Sequence, residues 1–356
     1  MVPLAWALRS AGHDVTFVTG GDGLTVTQAG LIATDALPGL TTLGMLSGFV
    51  RDLPELFKPF NGSPIEEMKE RKPAIVASWD PYVDSHVALA ERLRPELVVY
   101  DPIFGVGPLV AAKLGIPAVA LGTGLCQYLP EMLRELPAAV AFRRHGLRVP
   151  EGIETIATSP SALTDGPPLK RVMRYVPYNG GGVLPDWLAT PAKRPRIAVT
   201  IGSMLPKVQG FGPIERVIAA AADVDAEFIL ALGDAPIGVP DDMPSNVRTV
   251  GWIPMNALLR TCSAAIHHGG DGTTMTCCAL GVPQMVLPNG PERYTNAELL
   301  RSQGAAYVVD AETLTAAAIN GLITNGNLRT VAEELQSEIA SRPSPAELVQ
   351  WLTSLP

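Results

Sequence analysis

Two doubly wound α/β domains are what this chain predicts, on three observations. Short apolar runs alternate with segments of helical spacing, the alternation breaks once at a Gly/Pro-rich stretch, and it then restarts. Runs that are apolar throughout, rather than at every second residue, belong to strands of a parallel sheet covered on both faces. A length of 356 residues suits two such domains, and 47% hydrophobic residues can fill both cores.

The order of elements follows from the same signals. Residues 3–11 have helical apolar spacing and stop at Gly12-His13, before the strand Asp14-Val-Thr-Phe-Val-Thr. An α/β domain that opens on a helix lacks its leading strand, so a strand and a loop are expected ahead of Val2. The joins Thr19-Gly-Gly-Asp-Gly-Leu and Gly48-Phe-Val-Arg-Asp are abrupt enough to suggest missing segments there too. Helix 83–94 leads to strand Leu97-Val-Val-Tyr, helix 105–114 and strand Ala118-Val-Ala-Leu. The division is a first domain over 1–178, a linker over 179–195, a second domain over 196–340, and a last helix over 341–356 that starts at Pro343-Ser-Pro. In the second domain, strands 197–201, 228–232, 247–250, 264–267, 284–287 and 306–309 are interleaved with helices 213–222, 255–260, 273–280 and 294–303. Helices 313–323 and 328–340 close it.

Composition excludes several classes of protein. Charged residues at 17% and a net charge of −8 leave no basic surface for a phosphate backbone, so nucleic acid is not an expected partner. No apolar run approaches the roughly 18–20 residues that span a bilayer, and Val2-Pro-Leu-Ala-Trp-Ala-Leu has no basic leader. The four cysteines, Cys126, Cys262, Cys277 and Cys278, have neither disulfide-framework nor zinc-site spacing, and they read as core residues of a reduced, cytoplasmic protein.

The chemistry concentrates between Ala264 and Pro288. An apolar run ends at His267-His268, and Gly269, Gly270 and Gly272 let the backbone turn so that N–H groups opening a helix at Thr273 point outward. Such a helix start attracts phosphate, and His268, Thr273 and Thr274 add donors. An ordinary strand-to-helix turn is the plain alternative. His267 reads as a structural histidine lying against the sheet, and His86 and His145 read as surface residues.

This stretch resembles the nucleotide-sugar signature of the two-domain GT-B glycosyltransferases, in particular the actinobacterial, calicheamicin-type enzymes that attach deoxysugars to natural products. Further segments support the likeness: Tyr175-Val-Pro-Tyr-Asn-Gly-Gly-Gly, Ile197-Ala-Val-Thr-Ile-Gly-Ser, Val250-Gly-Trp-Ile-Pro and Pro343-Ser-Pro-Ala-Glu. The resemblance implies a GT-B fold of two Rossmann-like doubly wound domains facing across a cleft. It implies an inverting, metal-independent transfer from a TDP-linked deoxysugar to a polyketide- or enediyne-like aglycone. It implies no cofactor beyond that nucleotide-sugar co-substrate, and a homodimer is compatible with it.

The family's residues carry over position by position. His268, with Gly270, Gly272 and Thr273 around it, contacts the diphosphate. Ser203, in Thr200-Ile-Gly-Ser, reaches phosphate or sugar, or else serves as an N-cap. Trp252 flanks the base and the Ile253 backbone reads its edge, unless Trp252 is a core residue. The Asp-Gln pair that reads sugar hydroxyls is replaced by Glu292 and Arg293, so the donor sugar is not readable. Asp101, at the end of Val98-Val-Tyr, matches the carboxylate that orients a base histidine, or it caps a turn before Pro102. The histidine itself belongs to the loop ahead of Val2 and has no match in the chain. Acceptor contacts fall on Phe104, Gln127 and Tyr128, within the loops after residues 101 and 121 and the segment Gln127-Tyr-Leu-Pro-Glu-Met-Leu, whose apolar surface suggests a large, flat or greasy aglycone unless it is ordinary core packing. A nucleotide-sugar epimerase, or an inactive partner of another transferase, would share the diphosphate site. Asp223-Val-Asp225 is read as a solvated turn rather than a metal motif, and Gly210-Phe-Gly-Pro-Ile-Glu lacks the third glycine of a dinucleotide fingerprint.

Overall fold

The computed structural model describes residues 1–125, 136–166, 170–202, 212–233 and 242–356. The chain forms two compact units, Met1–Arg174 with Arg342–Pro356, and Tyr175–Ser341. No helix among the described residues is long and apolar enough to cross a membrane.

In the first unit, helix α1 (Val2–Ser10) carries Pro in its first turn and ends before Gly12, whose φ of +95° turns the chain into strand β1 (Thr16–Thr19). Strand β2 (Ile32–Asp35) pairs in parallel with β1. Helices α2 (Thr42–Asp52), α3 (Pro64–Ala77) and α4 (Val83–Leu93) follow. A second parallel sheet is built from β3 (Val98–Tyr100), β4 (Ala118–Gly122), β5 (Glu154–Ala157) and β6 (Arg171–Val172) in that order, with α5 (Val106–Leu114) after β3 and α6 (Leu136–Arg144) before β5. Helix α5 packs so closely on β3 that a Cβ at Gly107 would lie 2.5 Å from Tyr100. That close approach fixes the turn carrying Asp101, which joins the two elements. A fully buried Lys72–Asp165 ion pair ties α3 to the loop after β5.

In the second unit, the strands are β7 (Arg196–Thr200), β8 (Glu227–Ala231), β9 (Val247–Val250), β10 (Ala264–His267), β11 (Gln284–Val286) and β12 (Ala306–Val308). All pair in parallel, in the order β12-β11-β10-β7-β8-β9. Helices α7 (Gly212–Ala221), α8 (Met255–Leu259), α9 (Asp271–Leu280), α10 (Pro291–Ser302), α11 (Ala316–Thr324) and α12 (Gly326–Ser341) connect and cover them. Val199, Phe228, Leu230, Ile266 and Met285 are all at most 1% exposed, as strands with helices on both faces require. The chain order reverses between β7 and β10, and open α/β sheets bind ligands beyond the carboxyl ends of strands at such a switch point.

Helix α13 (Pro345–Thr353) belongs to the first unit, where Leu348 and Leu352 pack with Leu4 of α1 and with Val119, Leu121 and Ile156. It opens on a complete capping box between Ser344 and Glu347.

Four sequence expectations are corrected. Helix α9 starts at Asp271 and not at Thr273, so Gly272 lies inside its first turn. Helix α10 starts at Pro291 rather than 294, because Pro is favoured at a helix start, and Glu292 and Arg293 therefore lie on its first turn instead of in a loop. His86 is buried and not on the surface: it packs 5.0 Å from the Phe104 ring, and its Nδ1 lies 2.7 Å from the Tyr82 carbonyl. His145 is half-buried, with Nε2 2.8 Å from Asp84.

Candidate active site

The switch point of the second unit brings together the ends of β7 and β10. Thr200 closes β7, and its hydroxyl accepts the Gly202 N–H at 3.2 Å, holding Gly202 in a turn with φ +74°. His267 and His268 end β10. His267 is 1% exposed and fully engaged, with Nε2 2.9 Å from Gln284 Oε1 and Nδ1 accepting the Gly269 N–H at 3.1 Å. It is the structural histidine its sequence position suggests. Burial pulls its pKa down to about 4, and Gln284 only partly opposes this.

His268 is 8% exposed and lies between two glycines. A Cβ on Gly202 would sit 2.8 Å from its Cε1, and one on Gly270 would sit 2.5 Å from its Nε2. Both glycines thus make room for the imidazole, a constraint that ligand access alone would not impose. Its Nδ1 has no hydrogen-bond partner among the described residues. Burial is the first cause that lowers the His268 pKa to about 3, followed by the charges of Arg293 and His267, while the Thr200 backbone works the other way. The ring is neutral at pH 7, able to donate from one nitrogen and accept at the other.

The turn after His268 is held from a distance. Asn296 of α10, wholly buried, donates from Nδ2 to the Gly269 carbonyl at 2.9 Å and to Asp271 Oδ1 at 2.8 Å. Gly270 is the N-cap of α9 and brings no capping side chain, so the N–H groups of Gly272 and Thr273 have no partner within their own helix. Gly272 is exposed, and a Cβ there would meet open space. Arg293, half-buried, donates from Nη1 to the Asn289 carbonyl at 2.6 Å. Burial lowers its pKa and Glu292 opposes this, yet a guanidinium keeps its charge. Helix-start N–H groups, a neutral imidazole and a nearby cation are the kinds of group that attract an anion.

The edge strand β9 leads to Trp252, which is 58% exposed and so is not a core residue. Its Nε1 lies 3.4 Å from the Gly181 carbonyl, and its ring backs onto Gly180. The Ile253 side chain is buried among Ile229, Leu258 and Ala265. In strand spacings β9 is three places from β10, about 14 Å across the sheet.

In the first unit, Asp101 follows β3 and its Oδ1 accepts the Ile103 N–H at 3.1 Å, so the carboxylate does close the local turn. Phe104 is half-buried and packs edge-on against Trp79, with ring centroids 4.6 Å apart. Ser203, Gln127 and Tyr128 lie outside the described residues, as does Cys126. Cys262, Cys277 and Cys278 are free thiols, and burial raises the pKa of each. Asp225 is exposed at the turn before β8, 3.6 Å from Arg194, as a solvated turn requires. Sequence reasoning missed Asn296 and Asn179. Both are single polar residues whose partners lie 25 or more positions away, so no local pattern marks them.

This architecture is that of the GT-B glycosyltransferases. SnogD from Streptomyces nogalater superposes with a TM-score of 0.83 at 38% identity, over 99% of this chain and 95% of that one. The chain belongs to the erythromycin biosynthesis protein CIII-like family, matching its N-terminal domain over residues 6–202 and its C-terminal domain over 215–355. It is a glycosyltransferase. Elloramycin glycosyltransferase ElmGT of Streptomyces olivaceus is 35% identical, over 99% of this chain and 92% of its own length. SsfS6 of Streptomyces sp. SF2575, solved with thymidine diphosphate, has a TM-score of 0.77 and 31% identity, over 99% of this chain and 94% of that one.

Proposed function

We propose that this glycosyltransferase moves a deoxysugar from a TDP-linked donor to a polyketide-type aglycone, in the cytoplasm, with inversion at the anomeric carbon. The observation that carries the reading is the pocket of His268 between Gly202 and Gly270, at the start of α9 and beside Arg293. Relatives with this fold support it: one is named as an elloramycin glycosyltransferase, and one was solved with thymidine diphosphate.

In this reading an acceptor hydroxyl oxygen attacks the anomeric carbon while the bond from that carbon to the diphosphate oxygen breaks. The electron pair leaves with the diphosphate. Charge developing there meets the N–H groups of Gly272 and Thr273, the neutral His268 ring and Arg293, groups fixed before the reaction begins. No metal is assigned to it. Trp252 stacks on the base and the Ile253 backbone reads its edge; Ser203, Gly270, Glu292 and Arg293 surround phosphate and sugar. Phe104, Gln127 and Tyr128 meet the aglycone. The acceptor proton passes to a base oriented by Asp101, and a single displacement inverts the anomeric centre.

The test is transfer itself. Purified protein, a TDP-deoxysugar and a panel of aromatic and macrolide aglycones are expected to yield aglycone increased by one sugar residue, with one TDP released per product, by liquid chromatography and mass spectrometry. Release of TDP or epimerised sugar at an equal rate without any aglycone would overturn the reading.

A further inference from the structure

The segment Tyr175–Gly182 runs past both subsites of the second unit, and one side chain in it touches both. Asn179 Oδ1 accepts the Asn256 N–H at 3.0 Å, in the first turn of α8, the helix that follows Trp252-Ile253-Pro254. Its Nδ2 donates to Thr276 Oγ1 at 3.4 Å, and that hydroxyl donates in turn to the Gly272 carbonyl at 2.6 Å, in the first turn of α9. Tyr175 reinforces the same point, its hydroxyl 3.4 Å from the Gly272 carbonyl. Just beyond, a Cβ on Gly180 would lie 3.0 Å from the Trp252 ring, and one on Gly182 would lie 3.1 Å from Pro254. A single amide therefore joins the turn bearing Trp252 to the helix start bearing Gly272 and Thr273.

We propose that Asn179 is a positioning residue that sets the separation between the base-binding turn and the phosphate-binding helix, so that base and diphosphate are held at once. The inference rests on the nucleotide site proposed above. Asn179 need not touch the ligand for this. Two weak contacts give one strong one only when their spacing matches the molecule that links them, and a loosened spacing loses the linkage while each contact survives. Pro254, the N-cap of α8, has no side chain that could hold the turn itself.

The test compares TDP with its two halves. Affinities for TDP, thymidine and inorganic pyrophosphate are measured by calorimetry, with competition against TDP for the two weak ligands. The proteins are the full chain, Asn179→Ala and Asn179→Asp, and thermal unfolding serves as a check on folding. In Asn179→Ala, TDP binding is expected to weaken at least tenfold while thymidine and pyrophosphate change by no more than about twofold. Asn179→Asp keeps the acceptor for Asn256 but loses the donor to Thr276, and it should weaken TDP nearly as much. If Asn179→Asp binds TDP as the parent does, or if all three ligands weaken alike, Asn179 is a local cap and the proposal fails. If the parent itself binds pyrophosphate but gains nothing from the attached nucleoside, the nucleotide reading fails first.

Discussion

Replacing Gly270 with Ala tests the His268 pocket with little disturbance elsewhere. At φ −68° and ψ 142° the backbone of Gly270 accepts any L-residue, so the substitution brings no left-handed strain. Alanine lowers the entropy of the unfolded chain, worth about 0.4–1 kcal/mol, and a poorer N-cap costs a similar amount, so global stability should barely move. The new methyl is the whole perturbation. It would lie 2.5 Å from His268 Nε2 and 3.1 Å from Cε1, inside contact distance, and Gly202 closes the other side of the ring. The imidazole must leave its position. With it goes a hydrogen bond to a charged phosphate, about 1.5–3 kcal/mol, or roughly 10- to 150-fold in Kd for TDP. Calorimetry on Gly270→Ala, His268→Ala and the double variant settles the route. Because the methyl acts by displacing His268, the double variant should bind no worse than His268→Ala alone. Losses that simply add would refute the reasoning and show that Gly270 itself lies against the ligand.

Asp101→Asn should lower the transfer rate by about 10²–10⁴ with TDP affinity unchanged, as expected for a group that orients a base; equal rates would leave Asp101 as a turn residue. Arg293→Gln should weaken TDP binding and make it less sensitive to salt, because the guanidinium acts on His268 and not on the sugar alone. An unchanged Kd and salt slope would confine Arg293 to its Asn289 contact. The depressed pKa values of His267 and His268, about 4 and 3, lie below the unfolded value of roughly 6.5, so their contribution to stability is whole above pH 6.5 and is lost as pH falls towards 4. Urea unfolding from pH 7.5 to 5 should show His268→Ala losing less stability than the parent, by on the order of 1 kcal/mol per pH unit below 6.5. Parallel curves would mean that His268 titrates freely.

Much of the second unit is legible because its signals are local. The strand ending at His267, the glycine turn and the strand Gln284–Val286 follow from apolar runs and from residues that permit tight turns. The start of α9 is not legible in the same way. Asp271 is drawn into the helix by Asn296, twenty-five residues later, whose amide holds both Asp271 and the Gly269 carbonyl. The role of the glycines is likewise non-local, since Gly202 and His268 come from strands adjacent only in the folded sheet. Between residues 20 and 82 no local pattern marks an element, although β2, α2 and α3 lie there. Helix α3 contains Pro73 and a run of charges, which blur its apolar period, and a buried ion pair at Lys72 holds it in place. The misplacement of His86 has the same origin, for the ring partners that bury it come from the turn before α4 and the loop after β3.

Arg174 and Arg342 mark where the chain leaves the first unit and where it returns. The Arg174 N–H donates to the Pro343 carbonyl at 2.7 Å and its Nε to the Arg342 carbonyl at 3.2 Å, while the buried Arg342 guanidinium donates to the carbonyls of Thr158 and Ser159. Departure and return are thus one hydrogen bond apart. Residues 175–341 are a cassette inserted at a single point in the first unit, not the second half of a linear pair. Exchanging the second unit between relatives by recombination therefore takes two junctions at one spot, with Arg342 travelling with the first unit. A chimera that crosses over only once would give one parent's β5 loop the other parent's arginine and last helix.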